Sequence, residues 1–220
     1  DELEQSKAKV FGKNIMVTAG ATIEPIDPVR YLSNYSSGIQ GYQIAKTFHD
    51  LGANVTFIYG KMDIEIDVDF ANSIEALSAR DMHKEVLQNA SKMDLAVLSA
   101  AIADYTPQNY KSKKIKKLDG EDEISLSLVR NPDVLADLCQ SSNRPDIVIG
   151  FAAESDNLIE NAKLKLLKKG CDYILANDIL ASKIFGAKDT KITFIAPDYH
   201  KNWPEMAKSN IAKYIIDEIF

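Results

Sequence analysis

The 220-residue sequence predicts an α/β fold in which helices cover both faces of a mostly parallel sheet. Short apolar runs typical of buried strands alternate with segments whose apolar residues recur every three or four positions, as in helices. Strands that alternate with helices build right-handed βαβ units, and such units form a parallel sheet. The chain contains no internal repeat and no low-complexity segment. We therefore expect one Rossmann-like domain over residues 14–220, with residues 1–13 as a linker.

The elements of the first half are predicted from apolar periodicity and from a glycine stop. One helix carries Ile44, Phe48 and Leu51 on a single face, and Gly52 ends it. The run DLAVLSAA is apolar throughout, as expected of a strand that is covered on both faces. In order, we predict strand 14–20, helix 38–51, strands 54–59 and 67–71, helix 78–93 and strand 94–101.

The second half continues the alternation after a polar stretch rich in lysine. ISLSLV alternates apolar and polar residues, which indicates an edge strand. Pro132 opens a helix because proline suits the first helical turn, and Gly170 closes a later helix. In order, we predict strand 124–129, helix 132–139, strand 146–151, helix 157–169, strands 173–176 and 191–196, and helix 206–219.

Composition and charge exclude several classes of protein. Hydrophobic residues make up 45% and charged residues 26% of the chain, and no apolar run is long enough for a transmembrane helix. The net charge of −6 argues against nucleic acid as a partner. Cys139 and Cys171 lack a metal-ligand spacing and are too few for a disulfide framework, so we expect a cytoplasmic protein that does not bind membranes. The three histidines show neither a hydrolytic triad nor a zinc pattern.

The loops that follow the strands form the candidate site, because ligands of such sheets bind at the carboxyl ends of the strands. After the first strand, TAGAT places Gly20 where a phosphate approaches the backbone, or where the chain simply turns tightly. In SNYSSG, Ser36 or Ser37 either caps the helix that begins at Gly38 or binds an anion. Asn34, four residues earlier, has no capping role and is a candidate for substrate contact.

The loop AIADYTP follows the most buried strand and offers room for a flat ligand. Ala100 and Ala101 are small enough for a planar base to lie against the backbone. Asp104 either binds a ribose hydroxyl, a base or a metal, or caps a turn. Phe151, after a later strand, either stacks on a base or belongs to the core.

Two groups of lysines offset the acidic charge locally. YKSKKIKK carries five lysines within residues 111–117, which form either a solvated basic turn or a flap that closes over a triphosphate. Lys165 and Lys169 are four residues apart and share one helix face. Arg30 either binds a phosphate or pairs with Glu24 or Asp27, and we favour the internal pair.

The loops together resemble a known family. TAGATIEPIDPVRYLSNYSSG, AAIADY, KIKK, RNPDVL, GFAAES and ILAND, in this order, are similar to the motifs of the bacterial phosphopantothenoylcysteine synthetases of coenzyme A synthesis. The likeness spans roughly residues 14–196. In many bacteria this activity is the C-terminal domain of a bifunctional protein whose N-terminal half is a flavin-dependent decarboxylase. The missing initial Met fits an excised domain of that kind.

The resemblance implies a two-step ligase reaction in a homodimer. The carboxylate of 4'-phosphopantothenate attacks CTP, with Mg2+, to give an acyl-cytidylate, and the amine of L-cysteine then displaces CMP. Lys114 is implied to stabilise the first transition state, Asn34 to hold the intermediate, and Arg30 to serve the dimer and the phosphopantothenate site. The implied CTP site comprises Ser99, Ala100, Ala101, Asp104, Lys114, Pro132, Asp133, Val134, Leu135, Phe151, Lys165 and Lys169, with no metal ligand identified.

The sequence also departs from the family and leaves alternatives open. Ala21 stands where the family usually has a second glycine, and Ile39 and Gln40 replace a Lys-Met pair at the helix start. ATP use stays open, because base choice rests largely on backbone contacts. A Rossmann-type NAD(P)-dependent reductase is one alternative, although its GxGxxG and Tyr-x-x-x-Lys motifs are missing. A non-catalytic nucleotide-binding module is another.

Overall fold

Fourteen strands and six helices make up the part of the chain that the computed structural model describes, namely residues 2–116, 123–154, 156–178 and 189–220. The helices are α1 (Glu2–Val10), α2 (Ile39–Asp50), α3 (Ala79–Asn89), α4 (Val134–Gln140), α5 (Leu158–Lys169) and α6 (Ile211–Ile219). The strands are β1 (Asn14–Ala19), β2 (Ile23–Asp27), β3 (Arg30–Ser33), β4 (Asn54–Tyr59), β5 (Asn72–Glu75), β6 (Leu95–Leu98), β7 (Tyr105–Pro107), β8 (Leu128–Arg130), β9 (Ile147–Glu154), β10 (Tyr173–Asp178), β11 (Asp189–Thr190), β12 (Ile192–Ile195), β13 (His200–Asn202) and β14 (Met206–Ala207).

The central sheet has eight strands in the order β13-β12-β10-β9-β6-β1-β4-β5. The six from β10 to β5 are parallel, and β12 and β13 add an antiparallel edge. From β1 the chain first runs outward through β4 and β5, then crosses back to β6 and runs outward on the other side. The strand order therefore switches between β1 and β6, where sheets of this kind bind their ligands.

Apolar side chains fill both faces of the sheet, which explains why its strands are continuous apolar runs. In β1, Ile15 and Val17 face one core cluster and Met16 faces the other, as the two-residue repeat of a strand requires. Helices α2 and α6 bury Phe48 and Ile215 in the first cluster, and α3, α4 and α5 cover the second. The predicted α/β fold with helices on both faces is confirmed.

Some predicted elements are wrong, for local reasons. Residues 67–71 turn instead of forming a strand, because the Asp67 side chain accepts a hydrogen bond from the Asp69 N–H (2.9 Å). Of residues 124–129 only the last two are in a strand, β8, which pairs with β7 in a separate two-stranded sheet. Residues 206–210 form β14 and a 3-10 turn, so the last helix begins at Ile211.

The segment predicted as a linker also forms structure. Residues 2–10 are helix α1, which contacts α6 and ends with Val10 fully buried in the core. Lys9 forms an ion pair with Asp217 (3.7 Å), and the Gly12 N–H donates to the Gly52 carbonyl (2.9 Å). The segment forms a helix because Glu, Leu, Gln, Lys and Ala favour helices. Since this helix is docked on the core, the linker interpretation of residues 2–10 was wrong.

The polar stretch between the first strand and α2 is a β-hairpin. Strands β2 and β3 pair antiparallel, with a register shift between Pro25 and Asp27, and the hairpin follows β1, one of the two strands at the switch point.

Among the described residues, none of the helices combines the length and the apolar composition that crossing a bilayer requires.

Candidate active site

A large cavity of about 1020 Å³ opens at the switch point, over the carboxyl ends of β6 and β9 and beside the start of α2. It gathers loops that are more than 100 residues apart in the sequence. Of the residues predicted for the site, those that line it are Asn34, Ser36, Ser37, Gly38, Ser99, Ala100, Ala101, Asp104, Pro132, Asp133, Val134, Leu135, Phe151, Lys165 and Lys169.

The loop after β6 is held by the end of β1 and by the loop that follows it. The Ala100 N–H donates to Thr18 Oγ1 (3.1 Å), and the Ala103 N–H donates to Thr22 Oγ1 (3.0 Å). Between them, the Ala101 N–H donates to the Gly20 carbonyl (2.8 Å). Three backbone N–H donors of this loop therefore bind groups inside the protein. A carbonyl oxygen has two lone pairs and can accept two hydrogen bonds.

Asn34 lies at the rim of the cavity and contacts the same loop. Its Nδ2 donates to the Ile102 carbonyl (3.2 Å), and the adjacent Ser33 hydroxyl donates to the Thr22 carbonyl (2.7 Å). The side chain of Asn34 remains exposed to the cavity. The hairpin thus delivers Asn34 to the edge of the predicted base pocket.

The start of α2 is shaped by glycine and not by a serine cap. The N-cap of α2 is Gly38 (φ 75°), and no side chain caps the helix. The Ser36 hydroxyl instead accepts from the Gly38 N–H (3.2 Å), within the loop. Met62 occupies the space beside Gly38 and Gly20, so a Cβ at either glycine would collide with it. Gly20 (φ 78°) does not line the cavity, which favours the tight-turn interpretation of that residue.

Asp133 links the start of α4 to α5 across the cavity. One carboxylate oxygen caps α4 by accepting from the Ala136 N–H (3.1 Å), and the other forms an ion pair with Lys169. Pro132 therefore precedes the cap and does not open the helix. Burial acts to raise the pKa of Asp133, but the contacts with Lys169 and the Ala136 N–H outweigh it and lower the pKa.

Lys165 is partly buried on the same side of the cavity. Its ammonium group donates to the Phe151 carbonyl at the end of β9 (2.7 Å). Burial lowers the pKa of Lys165, and the charge of Lys169 lowers it further. Phe151 lines the cavity and also packs against the core, so both sequence-based interpretations describe part of its surroundings.

Sequence reasoning missed several residues of the cavity wall, among them Arg130, Asn131 and Lys208. Lys208 is 4% exposed, and burial lowers its pKa. Its place in the 3-10 turn before α6 carries no local sequence signal. Of the described residues that line the cavity, five are Lys or Arg and two are Asp, so the wall is cationic although the chain is acidic.

Besides Gly20, two predicted site residues lie outside the described cavity wall. Lys114 is exposed, in the lysine-rich segment beside the hairpin. Arg30 forms an ion pair with Asp27, which confirms the internal pair favoured from the sequence. Among the described residues no group of three or more His, Cys, Asp or Glu is placed to hold a metal ion.

Comparison with known proteins gives one family. Residues 10–220 match the family model of the DNA/pantothenate metabolism flavoprotein C-terminal domain. Bifunctional coenzyme A biosynthesis proteins CoaBC are similar over most of the chain: 39% identical over 94% of it for Vibrio vulnificus and 37% over 98% for Bacillus subtilis. The alignments cover 52% and 53% of those proteins, so the chain spans about half the length of these relatives.

Solved structures agree with this result. The C-terminal domain of a CoaBC protein superposes with a TM-score of 0.79 at 32% identity, over 96% of this chain and 95% of that one. A Cab2 variant in complex with phosphopantothenate-cysteine has the same fold, with a TM-score of 0.73 at 15% identity over 98% of this chain and 91% of that one.

Proposed function

The chain belongs to the DNA/pantothenate metabolism flavoprotein C-terminal domain family, and from that premise we propose that it is a phosphopantothenate–cysteine ligase. In the proposed first step, a carboxylate oxygen of 4'-phosphopantothenate attacks the α-phosphorus of CTP, and pyrophosphate leaves with the bonding electron pair. In the second step the cysteine amine attacks the acyl carbon, loses a proton and expels CMP, which leaves an amide. Cytidylation supplies the leaving group that a free carboxylate lacks.

The observation that carries the proposal is the meeting of a hairpin, a loop and a helix around one cationic cavity. Asn34 approaches from the hairpin, the Ala100–Ala101 loop from β6, and Lys165 from α5. Phosphoryl and nucleotidyl transfer depend mainly on positioning and on charge stabilisation, which lysines and amide groups supply. A cavity with excess positive charge in an acidic chain suits an anionic nucleotide.

The loop after β6 supports a base that carries an exocyclic amino group. The N–H groups of Ala100, Ala101 and Ala103 are already bonded, whereas the carbonyls of residues 101–103 each accept one hydrogen bond and keep a second lone pair. The loop therefore offers a base mainly hydrogen-bond acceptors. Cytosine and adenine present an amino donor on this edge, whereas uracil presents a carbonyl. Such a loop favours CTP or ATP over UTP, and the choice of CTP rests on the family resemblance.

Asn34 and Lys114 take different parts in the proposed mechanism. Asn34 at the rim holds the acyl-cytidylate while cysteine attacks. Lys114 neutralises charge at the α-phosphate, which requires its exposed side chain to extend toward the cavity once the nucleotide is bound. Ser99, Asp104 and residues 132–135 complete the nucleotide site, and Lys165 and Lys169 bind its phosphates.

The proposal extends to the assembly. Mg2+ enters with the nucleotide phosphates, because this ion is usually bound through substrate phosphates and one or two carboxylates. We further propose a cytoplasmic homodimer, with Arg30 serving the subunit contact and the phosphopantothenate site. A preceding flavin-dependent decarboxylase domain would account for the length of the CoaBC relatives.

The direct test measures pyrophosphate release from CTP and 4'-phosphopantothenate with Mg2+, with and without cysteine. We expect release in both cases and amide formation only with cysteine. If the protein binds CTP but releases no pyrophosphate under either condition, it is a nucleotide-binding module and the proposal is wrong.

The Asn34→Asp variant tests formation of the acyl-cytidylate and formation of the amide separately. We expect this variant to form acyl-cytidylate in a burst but to yield little amide, because the side chain that holds the intermediate has changed from an amide to a charged carboxylate. Normal amide yield, measured by mass spectrometry, would refute the role of Asn34.

A further inference from the structure

The carboxylate of Asp27 is buried at the tip of the hairpin and is used by four donors. Asp27 is 3% exposed. One oxygen, Oδ1, accepts from the backbone N–H groups of Val29 (2.8 Å) and Arg30 (2.9 Å). The other, Oδ2, accepts from the Arg30 guanidinium and from the Ile115 N–H (3.0 Å). The two oxygens therefore serve different parts of the chain.

Oδ1 of Asp27 stabilises the turn of the hairpin, and Oδ2 also binds a distant part of the chain. An aspartate that binds N–H groups two and three residues ahead stabilises a tight turn, and Oδ1 alone supplies both bonds. The hairpin does not need Ile115, which is 88 residues farther along the chain. The bond between the Ile115 N–H and Oδ2 therefore holds the lysine-rich segment and adds nothing to the turn.

Arg30 also binds Ile115, at its carbonyl group. Its Nη1 donates to the Ile115 carbonyl (3.2 Å) while it pairs with Asp27. Both peptide groups of Ile115 are thereby held, the N–H by Asp27 and the carbonyl by Arg30. A second tie lies four residues earlier, where the Lys111 N–H donates to the Ile26 carbonyl (2.9 Å). The described lysine-rich segment is fixed to β2 at two points, and Lys114 lies between them.

We propose that the Asp27–Arg30 pair is a clasp that fixes the base of the lysine-rich segment and so positions Lys114 for nucleotide activation. The inference rests on the proposed function for the role of Lys114. Asp27 does not contact substrate and is a positioning residue that acts through Ile115. The backbone is held on both sides of Lys114, at Lys111 and at Ile115, which limits the number of arrangements that Lys114 explores before reaction.

The charge state of Asp27 suits a permanent contact. Burial acts to raise its pKa, but the Ile115 N–H, the Val29 N–H and Arg30 outweigh burial and lower the pKa to about 2. The carboxylate is therefore ionised throughout the neutral range, and ionised acceptors make the stronger hydrogen bonds.

The test compares Asp27→Asn with the unchanged protein in two ways. Limited trypsin digestion, followed by mass spectrometry, measures cleavage after the lysines of residues 111–117. We expect this cleavage to be several-fold faster in the variant, with the melting temperature recorded in parallel to separate local opening from unfolding. The digestion needs no substrate, so it tests the clasp even if the proposed reaction fails.

A double-mutant cycle with Lys114→Gln then tests the link to Lys114. We expect Asp27→Asn to slow the pyrophosphate burst roughly 10- to 100-fold in the unchanged background. In the Lys114→Gln background it should have little further effect, because the lysine it positions is gone. The same fold-loss in both backgrounds would mean general damage and would overturn the proposal, as would unchanged cleavage of the segment.

Arg30→Met covers the case in which Asp27→Asn does not fold. Arg30 is largely exposed, and its removal leaves the turn bonds at Oδ1 intact. We expect faster cleavage at residues 111–117 in this variant too. The matched control is Lys201→Met, which removes an exposed ion pair with Glu218 on the far edge of the sheet and should leave that cleavage unchanged. Equal cleavage in Arg30→Met and Lys201→Met contradicts the clasp.

Discussion

Two lysines of the cavity are engaged by protein groups before any ligand arrives. Lys165 donates to the Phe151 carbonyl, and Lys169 pairs with Asp133. These contacts hold both ammonium groups in place, so a phosphate that binds them meets ordered donors and little side-chain entropy is lost. Lys165 is partly buried, which lowers its pKa, and a cation with few waters around it interacts strongly with an anion.

At this scale we predict that Lys165→Met weakens binding of inorganic pyrophosphate. A charge-assisted hydrogen bond contributes roughly 1.5–3 kcal/mol, so the loss should be about 10- to 100-fold. Isothermal titration calorimetry measures it directly. Lys163→Met, on the same helix but outside the described cavity wall, is the control. Equal affinities of the two variants would remove Lys165 from the phosphate site.

Loops set the chemistry of the site at the scale of elements. The loop after β6 is held by Thr18, Gly20 and Thr22 at the end of β1, and Asn131 extends this network. The Asn131 side chain donates to the Ala103 carbonyl (2.9 Å), and its N–H donates to the Asp104 carbonyl (2.9 Å). The carbonyls of residues 101–104 form a fixed row, in which each already accepts one hydrogen bond and keeps a second lone pair for a base.

We predict from this row that UTP is a poor substrate compared with CTP. The uracil carbonyl would face carbonyl oxygens where cytosine presents an amino donor, and unpaired buried polar groups are costly. Sites built on hydrogen bonds of this kind discriminate by factors of about 10⁴. The ratio of kcat/KM for the two nucleotides in the pyrophosphate assay gives the answer, and a ratio near one would show that the loop does not read the base.

Helix α1 supports a second prediction at the scale of elements. Val10 is fully buried against the core, and the helix contacts α6. Val10→Ala should lower the free energy of unfolding by roughly 2 kcal/mol, because it removes buried methyl groups and leaves a small cavity. Lys7→Ala, at an exposed position of the same helix, should change it little. Urea denaturation measures both, and equal values would mean that α1 is not docked in solution.

Over the whole molecule, carboxylates held by hydrogen bonds make stability depend on pH. The pKa of Asp27 is about 2 in the folded chain against an ordinary value of 3.8. Because the folded pKa is the lower one, the carboxylate stabilises the fold above pH 3.8, and this contribution is lost as the pH falls toward 2.

We therefore predict that acid destabilises Asp27→Asn less steeply than the unchanged protein. Between about pH 4 and 2 the free energy of unfolding should fall with a smaller slope in the variant, although the variant is less stable at neutral pH. Chemical denaturation at a series of pH values measures both slopes. Parallel curves would show that Asp27 does not have its low pKa in the folded state.

The loop motifs and the periodicity determined much of this protein without a structure. Alternating apolar runs and helical faces fixed the parallel α/β fold, because burial on both sides of a sheet leaves a local signature in each strand and helix. The likeness of six loops to the phosphopantothenoylcysteine synthetases is confirmed by the family match. Fifteen of the predicted site residues line one cavity, since loops after parallel strands meet at one edge of the sheet.

Tertiary structure decided what depends on contacts between distant residues. Lys208 reaches the cavity and α1 docks on the core only through packing across the fold. The space beside Gly20 is filled by Met62, 42 positions away, and Gly20 does not line the cavity. Arg30 and Asp27 were foreseen as a pair, but their hold on Ile115 joins residues 85 and 88 positions apart. Local sequence records the period of an element and the residues at its ends, whereas such a contact exists only once the chain has closed around its core.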